Sequence, residues 1–199
     1  MLKKTDKVKV FALGGVDEVG KNMYVIEDRN NIFILDAGLM LPEDEMFGVD
    51  AVIPDITYLI ENRDRIKAIF LSHGHVDHIG ALAYLLKKIN VPVYGTRLTL
   101  GLAEELLKAA QLGIKYHFHT IDSNSKITIG RTTFTFFKVN HSIPDAVGIA
   151  VHTSQGIIVY TGDFKFDQTP INNEHTEIDK IVKLREKGVI CLLSDSMNA

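Results

Sequence analysis

The sequence of 199 residues has a single cysteine, no tryptophan and no long hydrophobic run. Because Cys191 has no second cysteine to pair with, no disulfide can form within the chain, and a reducing compartment is expected. No apolar stretch approaches the roughly 20 residues that cross a bilayer, and no apolar signal region follows the basic start at residues 1–7. We therefore predict a cytoplasmic protein with no membrane contact.

The sequence also has no large excess of positive or negative charge. The formal net charge is −3 and the pI is about 6.2, which gives no overall attraction to nucleic acid. If the substrate is RNA, the attraction must be local or come from other parts of the protein. The length and a hydrophobic content of 46% fit one globular domain, or one domain with a fragment of another.

Short apolar runs rich in β-branched and aromatic residues predict ten strands. These are Val8–Leu13, Met23–Glu27, Ile32–Leu35, Lys67–Leu71, Val91–Tyr94, Lys126–Ile129, Thr132–Val139, Gly148–Thr153, Ile157–Tyr160 and Val189–Leu193. Helical spacing of apolar residues predicts four helices, at Pro54–Arg65, Ile79–Lys88, Thr99–Leu112 and Glu177–Lys187. Gly113 and Gly188 follow the last two helices and suit their C-terminal caps. The order of elements predicts an α/β fold with packed layers.

Five of the predicted strands end beside a side chain that can bind metal or move protons. In layered α/β folds, ligands collect beyond strand ends at one edge of the sheet. The recurrence therefore predicts one shared site, formed by Asp36, His73, His141, Asp163 and Asp195.

The segment after the fourth predicted strand concentrates metal-binding side chains. His73 and His75 are two residues apart after a strand, so their side chains can point the same way, and Asp77 and His78 follow where the chain turns into a helix. This geometry suits two neighbouring ions, with His73 and His75 on one and Asp77 and His78 on the other. Imidazole and carboxylate ligands fit zinc or manganese. Four such residues within six positions are too dense for an ordinary polar loop or helix cap.

Two other motifs indicate structure and not chemistry. The segment that ends at Asn22 nearly matches a phosphate-binding P-loop, but Asn22 stands where Ser or Thr would bind magnesium, Asp17 and Glu18 would repel phosphate, and a strand follows instead of a helix. A hairpin turn is the better interpretation. His117 and His119 repeat the His-x-His spacing without an acidic partner in register, which indicates one face of an exposed strand.

The His-x-His-x-Asp-His motif at residues 73–78 resembles the signature of the metallo-β-lactamase superfamily. Further motifs make nearly the whole chain similar to bacterial ribonuclease J, in the β-CASP branch of that superfamily. These motifs are Ala12–Gly15, Asp36–Gly38, Pro42–Glu45, His141–Asp145, Thr161–Asp167 and Leu193–Ser196. The resemblance implies an α/β metallo-β-lactamase sandwich of two sheets flanked by helices (αββα), present here as its N-terminal part. Residues 1–194 would belong to this domain, and residues 195–199 would begin an inserted β-CASP domain.

The resemblance also implies two zinc ions, with manganese as an alternative. Carried over residue by residue, it assigns one ion to His73, His75 and His141, the second to Asp77 and His78, and Asp163 to both. The family's late histidine on the second ion would lie beyond this chain, which would leave the second site short of a ligand here.

Two further acidic residues acquire roles from the same resemblance. Asp36 would orient the ligands from behind. Asp195 would match the first acidic motif of the β-CASP insertion, at the edge of the active site. The catalytic candidates are accordingly Asp77, His78, Asp163 and Asp195.

The activity implied is hydrolysis of RNA phosphodiesters by a two-metal mechanism, in 5′-to-3′ exonucleolytic and endonucleolytic modes, within RNA processing and decay. RNA is the implied partner, together with a homo-oligomer or a hetero-oligomer with a ribonuclease J paralogue. One alternative is a small-molecule hydrolase of the same fold that acts on thioesters or lactones. The contexts of Asp145, Phe164–Asp167 and Ser194–Ser196 argue against it.

A second alternative is a binding role, as the weakly active partner subunit of a ribonuclease J complex. Details at Val16–Glu18, Asp163–Gln168 and Asp195–Asn198 look closer to that second paralogue. The paralogue often has degraded ligands in the cluster, whereas this chain keeps all four. The sequence therefore favours an enzyme and leaves its level of activity open.

Overall fold

The structure is a computed structural model that describes residues 7–43, 46–111, 113–171 and 173–197. Within these ranges the strands are β1 (Lys9–Gly14), β2 (Met23–Asp28), β3 (Asn31–Leu35), β4 (Ile66–Phe70), β5 (Val93–Gly95), β6 (Phe118–Thr120), β7 (Lys126–Ile129), β8 (Thr132–Lys138), β9 (Val147–His152), β10 (Ile157–Tyr160) and β11 (Val189–Leu193). The helices are α1 (Thr57–Glu61), α2 (Val76–Ile79), α3 (Leu82–Lys88), α4 (Arg97–Ala109) and α5 (Ile178–Arg185), with a short 3-10 helix at Arg63–Arg65.

The strands form two sheets that pack face to face. The first has the order β1-β2-β3-β4-β5-β6 and the second the order β11-β10-β9-β8-β7. Helices α1, α3 and α4 bury Leu59, Leu82 and Leu107 against the first sheet, and α5 buries Leu184 against the second. This arrangement confirms the predicted α/β sandwich with helices on both outer faces.

Aromatic side chains fill the space between the two sheets. The rings of Phe70 and Phe134 stack with centroids 3.9 Å apart, and Phe33 meets Phe134 edge to face at 4.9 Å. On β3, Phe33 points into this layer, while its neighbours Ile32 and Ile34 pack against the helices. Because both faces of such a strand are buried, its sequence is a continuous apolar run and not an alternating one.

Strand direction gathers the five strand ends that carry polar residues at one edge. Strands β3 and β4 are parallel, and so are β10 and β11. Strand β9 is antiparallel to both β8 and β10, so β8 and β10 run the same way. The residues that follow these five strands therefore lie at one edge of each sheet, and the hydrogen bond from the N–H of Val147 to the carbonyl of Ser72 at 3.0 Å joins the two edges, as the sequence predicts.

Two predicted helices differ from the structure. The segment Pro54–Arg65 is helical only at α1 and then tightens into the 3-10 turn. The segment Ile79–Lys88 is divided into α2 and α3, and the first of these begins earlier, at Val76. The division has a clear cause, because the N–H of Ala81 donates to the carbonyl of Ala37 at 2.7 Å instead of continuing the helix.

The structure also tests the predicted glycine caps at the C-terminal ends of the last two helices. Helix α4 ends at Ala109, and the chain is left-handed already at Gln111 (φ 47°), two residues before Gly113. After α5, Gly188 is left-handed (φ 87°) and its N–H donates to the carbonyl of Arg185 at 3.2 Å, which confirms that cap. Several predicted positions lie outside the described residues, namely Asp44, Glu45, Leu112, Asn198 and Ala199.

The two motifs set aside have the local structure that the sequence predicts. The segment that ends at Asn22 joins the antiparallel strands β1 and β2, and β6 is an edge strand of the first sheet with His119 exposed. Among the described helices, none combines the length and the apolar character needed to cross a membrane.

Candidate metal centre

The turn after β4 carries the four clustered ligands. His73 is fully buried, and His75 has an extended backbone and forms the N-cap of α2. Asp77 and His78 therefore lie within this short helix. Because successive residues of a helix are rotated by about 100°, their side chains leave the backbone in different directions. Asp77 points toward solvent and is partly exposed, while His78 is buried.

Four residues form a first set, in which each side chain offers one ligand atom and these atoms lie within 4.8 Å of one another: His73, His75, His141 and Asp163. The Nδ1 atom of His75 is 3.1 Å from Nε2 of His73 and 3.0 Å from Nε2 of His141. A carboxylate oxygen of Asp163 is 3.6 Å from Nε2 of His141. Three imidazole nitrogens and a carboxylate that converge in this way match the donor set of a zinc site.

A second set shares Asp163 with the first. The Nε2 atom of His78 lies 3.1 Å from Oδ1 of Asp163 and 3.5 Å from Oδ2 of Asp77. These three residues also offer ligand atoms within 4.8 Å of one another. The structure thus brings together all six residues predicted as ligands, in the two overlapping groups that the resemblance implies.

Asp36 connects the ligand-bearing turn with both sheets from behind. It is fully buried and left-handed (φ 61°) immediately after β3. Its Oδ2 accepts hydrogen bonds from Ser72 Oγ at 2.7 Å, His78 Nδ1 at 2.7 Å and Tyr160 Oη at 2.6 Å. Its Oδ1 accepts the backbone N–H of Ser72 at 2.7 Å. Because Nδ1 of His78 is held by Asp36, the other ring nitrogen faces the ligand set.

The surroundings of the two sets shift the pKa values of their histidines in opposite directions. Burial and the charge of His78 lower the pKa of His73 to about 2, and burial also lowers the pKa of His141. Burial disfavours the charged form of His78 too, but the carboxylates of Asp36 and Asp163 outweigh it and raise the pKa to about 10. Burial of Asp163 acts against ionisation, yet the hydrogen bond and charge of His78 lower its pKa to about 2. Without a cation, the His78 ring is therefore positively charged at neutral pH, with a proton on each of its two nitrogens.

Contacts on both sides of His141 hold the loop that follows β8. The side-chain carbonyl of Asn140 accepts the N–H of Thr176 at 2.8 Å. Four residues after the histidine, Asp145 is left-handed (φ 69°) and its carboxylate accepts the N–H of Leu98 at 3.2 Å, in the first turn of α4. The loop is thus attached to separate elements before and after the ligand.

A cleft of about 460 Å³ opens beside the second set, lined by Asp77, Asp163, Asn22, Tyr24 and the loops 15–20 and 194–197. The predicted edge residue Asp195 lines this cleft but lies in neither ligand set. Its carboxylate accepts the N–H of Met197 at 2.7 Å and that of Phe164 at 3.4 Å. The structure therefore places Asp195 at the edge of the site.

One residue at the centre was missed by the sequence interpretation. Asn22, assigned only to a hairpin turn, has its side-chain nitrogen 3.1 Å from Nε2 of His78 and 3.3 Å from Oδ2 of Asp77. The two segments are 55 residues apart, so no local spacing relates them. The only available signal was the glycine-rich segment before Asn22, which is unusually long for a simple hairpin.

Comparisons with known proteins agree with this geometry. Residues 16–179 match the metallo-beta-lactamase superfamily. Ribonuclease J2 of Bacillus subtilis (strain 168) is 56% identical over 197 residues, which cover 99% of this chain and 36% of that protein. Ribonuclease J 2 of Staphylococcus aureus (strain NCTC 8325 / PS 47) is 46% identical over 197 residues, with coverages of 99% and 35%. The chain thus spans about a third of the length of the curated relatives it matches.

Solved structures with lower identity share the fold. The short form of human tRNase Z has a TM-score of 0.59 at 19% identity, over 89% of this chain and 74% of that one. The metallo-beta-lactamase fold protein YhfI from Bacillus subtilis has a TM-score of 0.54 at 19% identity, over 81% and 64%. Because the superfamily match covers most of the chain and the sandwich agrees with these neighbours, the chain belongs to the metallo-β-lactamase superfamily.

Proposed function

We propose that the chain carries the metal centre of a metal-dependent ribonuclease that hydrolyses RNA phosphodiesters. The observation that carries the proposal is the pair of overlapping ligand sets, joined by Asp163, at the wall of an open cleft. Relatives named Ribonuclease J2 and Ribonuclease J 2, which align with almost the whole chain, support RNA as the substrate class.

The donor chemistry fits two divalent ions. The first would be held by His73, His75 and His141, the second by Asp77 and His78, and Asp163 would serve both. Nitrogen and carboxylate donors favour zinc, with manganese as the alternative. Two such ions would supply hydroxide at neutral pH and offset the charge that develops on a phosphodiester.

The chain's own residues prepare this centre in a specific way. The hydroxyl of Ser72 donates to Asp36 and lies 2.9 Å from Nδ1 of His73, so its oxygen is the acceptor for the proton on that nitrogen. The Nε2 atom of the neutral His73 then presents a lone pair to the ligand set. Asp36 orients His78 in the corresponding manner from the other side. The candidate catalytic groups are Asp77, His78 and Asp163, which are also proposed ligands, and Asp195 at the edge of the site.

The charge of the cleft favours a cation-dependent mode of substrate binding. Among its described lining residues are five carboxylates and neither lysine nor arginine: Asp17, Glu18, Asp77, Asp163 and Asp195. Such a surface repels a polyanion unless positive charge is bound there. Bound ions would therefore serve substrate binding as well as hydrolysis.

Further parts of the proposal concern the whole protein. They are 5′-to-3′ exonucleolytic and endonucleolytic cleavage, a part in rRNA processing and mRNA decay, a cytoplasmic location, and assembly as a homo-oligomer or with a ribonuclease J paralogue. In the same way, residues 1–194 would form the N-terminal part of the metallo-β-lactamase domain and residues 195–199 the start of a β-CASP insertion.

The test asks whether the full-length protein hydrolyses an RNA that carries a 5′-monophosphate, with zinc and manganese added in turn. Shortening from the 5′ end with release of mononucleotides would support the exonuclease, and internal products the endonuclease. Turnover of a thioester or lactone in place of RNA would favour a small-molecule hydrolase. Activity that arises only when the paralogue is added would favour the partner-subunit role.

A further inference from the structure

The glycine-rich connection between β1 and β2 reaches into the metal centre through its last residue, Asn22. Its backbone N–H donates to the carbonyl of Asp77 at 3.0 Å, and its own carbonyl accepts the N–H of Gly38 at 2.9 Å. The first of these main-chain hydrogen bonds attaches the start of β2 to α2, and the second attaches it to the loop after β3. They do not depend on the Asn22 side chain.

The side chain of Asn22 adds contacts of a different kind. Its amide nitrogen donates to the backbone carbonyl of Asp77 at 3.1 Å and to Oδ2 of the same residue at 3.3 Å. The same nitrogen lies 3.1 Å from Nε2 of His78. The Asn22 amide therefore contacts one ligand atom of Asp77 and one of His78, which are the two residues that belong only to the second set.

The first set has no comparable contact with Asn22. Among the described residues, the amide nitrogen of this side chain contacts Asp77 and His78 and none of the three histidines of the first set. His73 is held instead by Ser72, and the loop of His141 by Asn140 and Asp145. Asp36 and Asp163 connect the two sets, but the Asn22 side chain contacts the second set alone, so its removal should change the two metal affinities by different amounts.

We propose that Asn22 is a positioning residue of the second ion subsite, where its side-chain amide fixes the Asp77 carboxylate and the orientation of the adjoining turn. Because Asp77 is partly exposed and has few other restraints, this amide determines how well the carboxylate is preorganised. Groups that orient a metal ligand commonly change metal affinity by about 10–100-fold when they are removed. The inference rests on the two-ion centre of the proposed function.

The test is a titration of the ion-free full chain with Zn²⁺ by calorimetry, and with Co²⁺ followed by visible absorption. In the Asn22→Ala variant, we expect the first equivalent to bind as in the wild type and the second to bind about 10–100-fold more weakly. The Co²⁺ bands that grow with the second equivalent should be lost or shifted. Unchanged binding of the first equivalent also reports that the variant is folded, since alanine keeps both main-chain hydrogen bonds.

Two further variants sharpen the result. Gly15 is left-handed (φ 82°), and a Cβ added there would overlap Oδ1 of Asn22 and come within 3.0 Å of its Cα, so Gly15→Ala shifts this turn together with the amide and should weaken the same equivalent. Asn90→Ala is the matched control, because Asn90 also donates its amide to a backbone carbonyl, that of Lys115 at 2.8 Å, on an exposed surface before β5. It should leave both equivalents unchanged.

The outcomes separate this inference from the proposed function. A wild type that binds two ions and an Asn22→Ala variant with the same two affinities would overturn the role of Asn22 alone. Equal weakening of both equivalents would overturn its restriction to the second subsite. A wild type that takes up no second ion would overturn the inference together with the two-ion part of the proposed function.

Discussion

At the residue scale, one buried carboxylate and one hydroxyl decide which nitrogen of each neighbouring histidine faces the ligand sets. Asp36 binds Nδ1 of His78 directly and is connected to Nδ1 of His73 through Ser72. Fixing one nitrogen leaves the other free to bind metal, and it also prevents the ring from rotating. The ligands are therefore preorganised by hydrogen bonds that lie outside the two ligand sets.

His75 allows a direct test of the centre. Its Nδ1 contacts both other histidines of the first set, so His75→Ala in the full chain should abolish detectable RNA hydrolysis and lower the affinity for the first ion. Since His75 is only partly buried, the melting temperature of the ion-free protein should change by no more than a few degrees.

His117→Ala is the matched control for that experiment. His117 is the exposed first residue of the other His-x-His motif, so its removal should leave hydrolysis and metal content unchanged. Retained turnover in His75→Ala at more than a small fraction of the wild-type rate would remove these ligands from the mechanism.

The two ions should differ in their dependence on pH. Without a cation, the pKa of His78 is raised to about 10, so at pH 7 the second ion has to displace a proton, whereas the lowered pKa values of His73 and His141 leave these two rings neutral, with one nitrogen of each free to bind metal. Metal affinity increases with pH when a ligand must first lose its proton. We expect the affinity of the second ion to rise by up to about tenfold per pH unit between pH 7 and 9, because one proton is released.

Calorimetry in two buffers of different ionisation enthalpy measures that proton release. About one proton should leave with the second ion, and a smaller number with the first. Equal pH dependence of the two equivalents would contradict the assignment of the raised pKa to His78.

At the scale of elements, the fit between the loop after β3 and the start of α2 sets the position of Asp77. A Cβ added at Gly38 would overlap the backbone carbonyl of Asp77 and press on the backbone nitrogen of Asn22. Neither contact is with a flexible side chain, so the backbone of one element would have to move. Only glycine allows these two segments to approach so closely.

Gly38→Ala should therefore destabilise the protein and weaken the second ion. Overpacking of this kind costs about 1–3 kcal/mol in the free energy of unfolding, and more where backbone must shift. Gly101→Ala is the control, because the space around Gly101 in α4 is open and alanine is the better helix former. Chemical denaturation and zinc titration of both variants check the prediction. A Gly38→Ala protein as stable as the wild type would show that the two segments can separate at little cost.

At the scale of the whole molecule, charge is distributed so that substrate binding should depend on metal. The net charge is −3, and the described lining of the cleft adds carboxylates without a lysine or arginine. RNA affinity normally comes largely from phosphate contacts with cations. We expect removal of divalent ions by a chelator to weaken RNA binding to the full chain by at least about tenfold, which corresponds to about 1.4 kcal/mol.

Fluorescence anisotropy with a labelled RNA at fixed monovalent salt measures that effect. The Asp163→Asn variant, which lacks the charge shared by the two ligand sets, should bind RNA with less response to added zinc than the wild type. RNA affinity that is the same with and without divalent ions would place the main substrate contacts outside this cleft.

The sequence by itself determined the strands, the layered α/β class and the four clustered ligand candidates, and the family resemblance added His141 and Asp163. Strands of a buried sheet are continuous apolar runs, and four ligands within six residues after a strand can be recognised because all the relevant spacings are local. The residues that follow the other strands could be assigned to the same site because ligands in layered α/β folds collect beyond strand ends at one edge of the sheet. Helix ends were less well predicted, since Ala37 interrupts the segment Ile79–Lys88 from a different part of the chain.

Only the tertiary structure decided what supports the ligands. The contact of Asn22 with Asp77 joins residues 55 positions apart, and the hydrogen bond from Tyr160 to Asp36 joins residues 124 positions apart. The close approach at Gly38 is likewise absent from any local pattern. Contacts of this kind depend on how β1, β2 and β10 pair and on how the two sheets face each other. Spacing along the chain records which side chains share an element, whereas the orientation of a ligand depends on elements that meet only after folding.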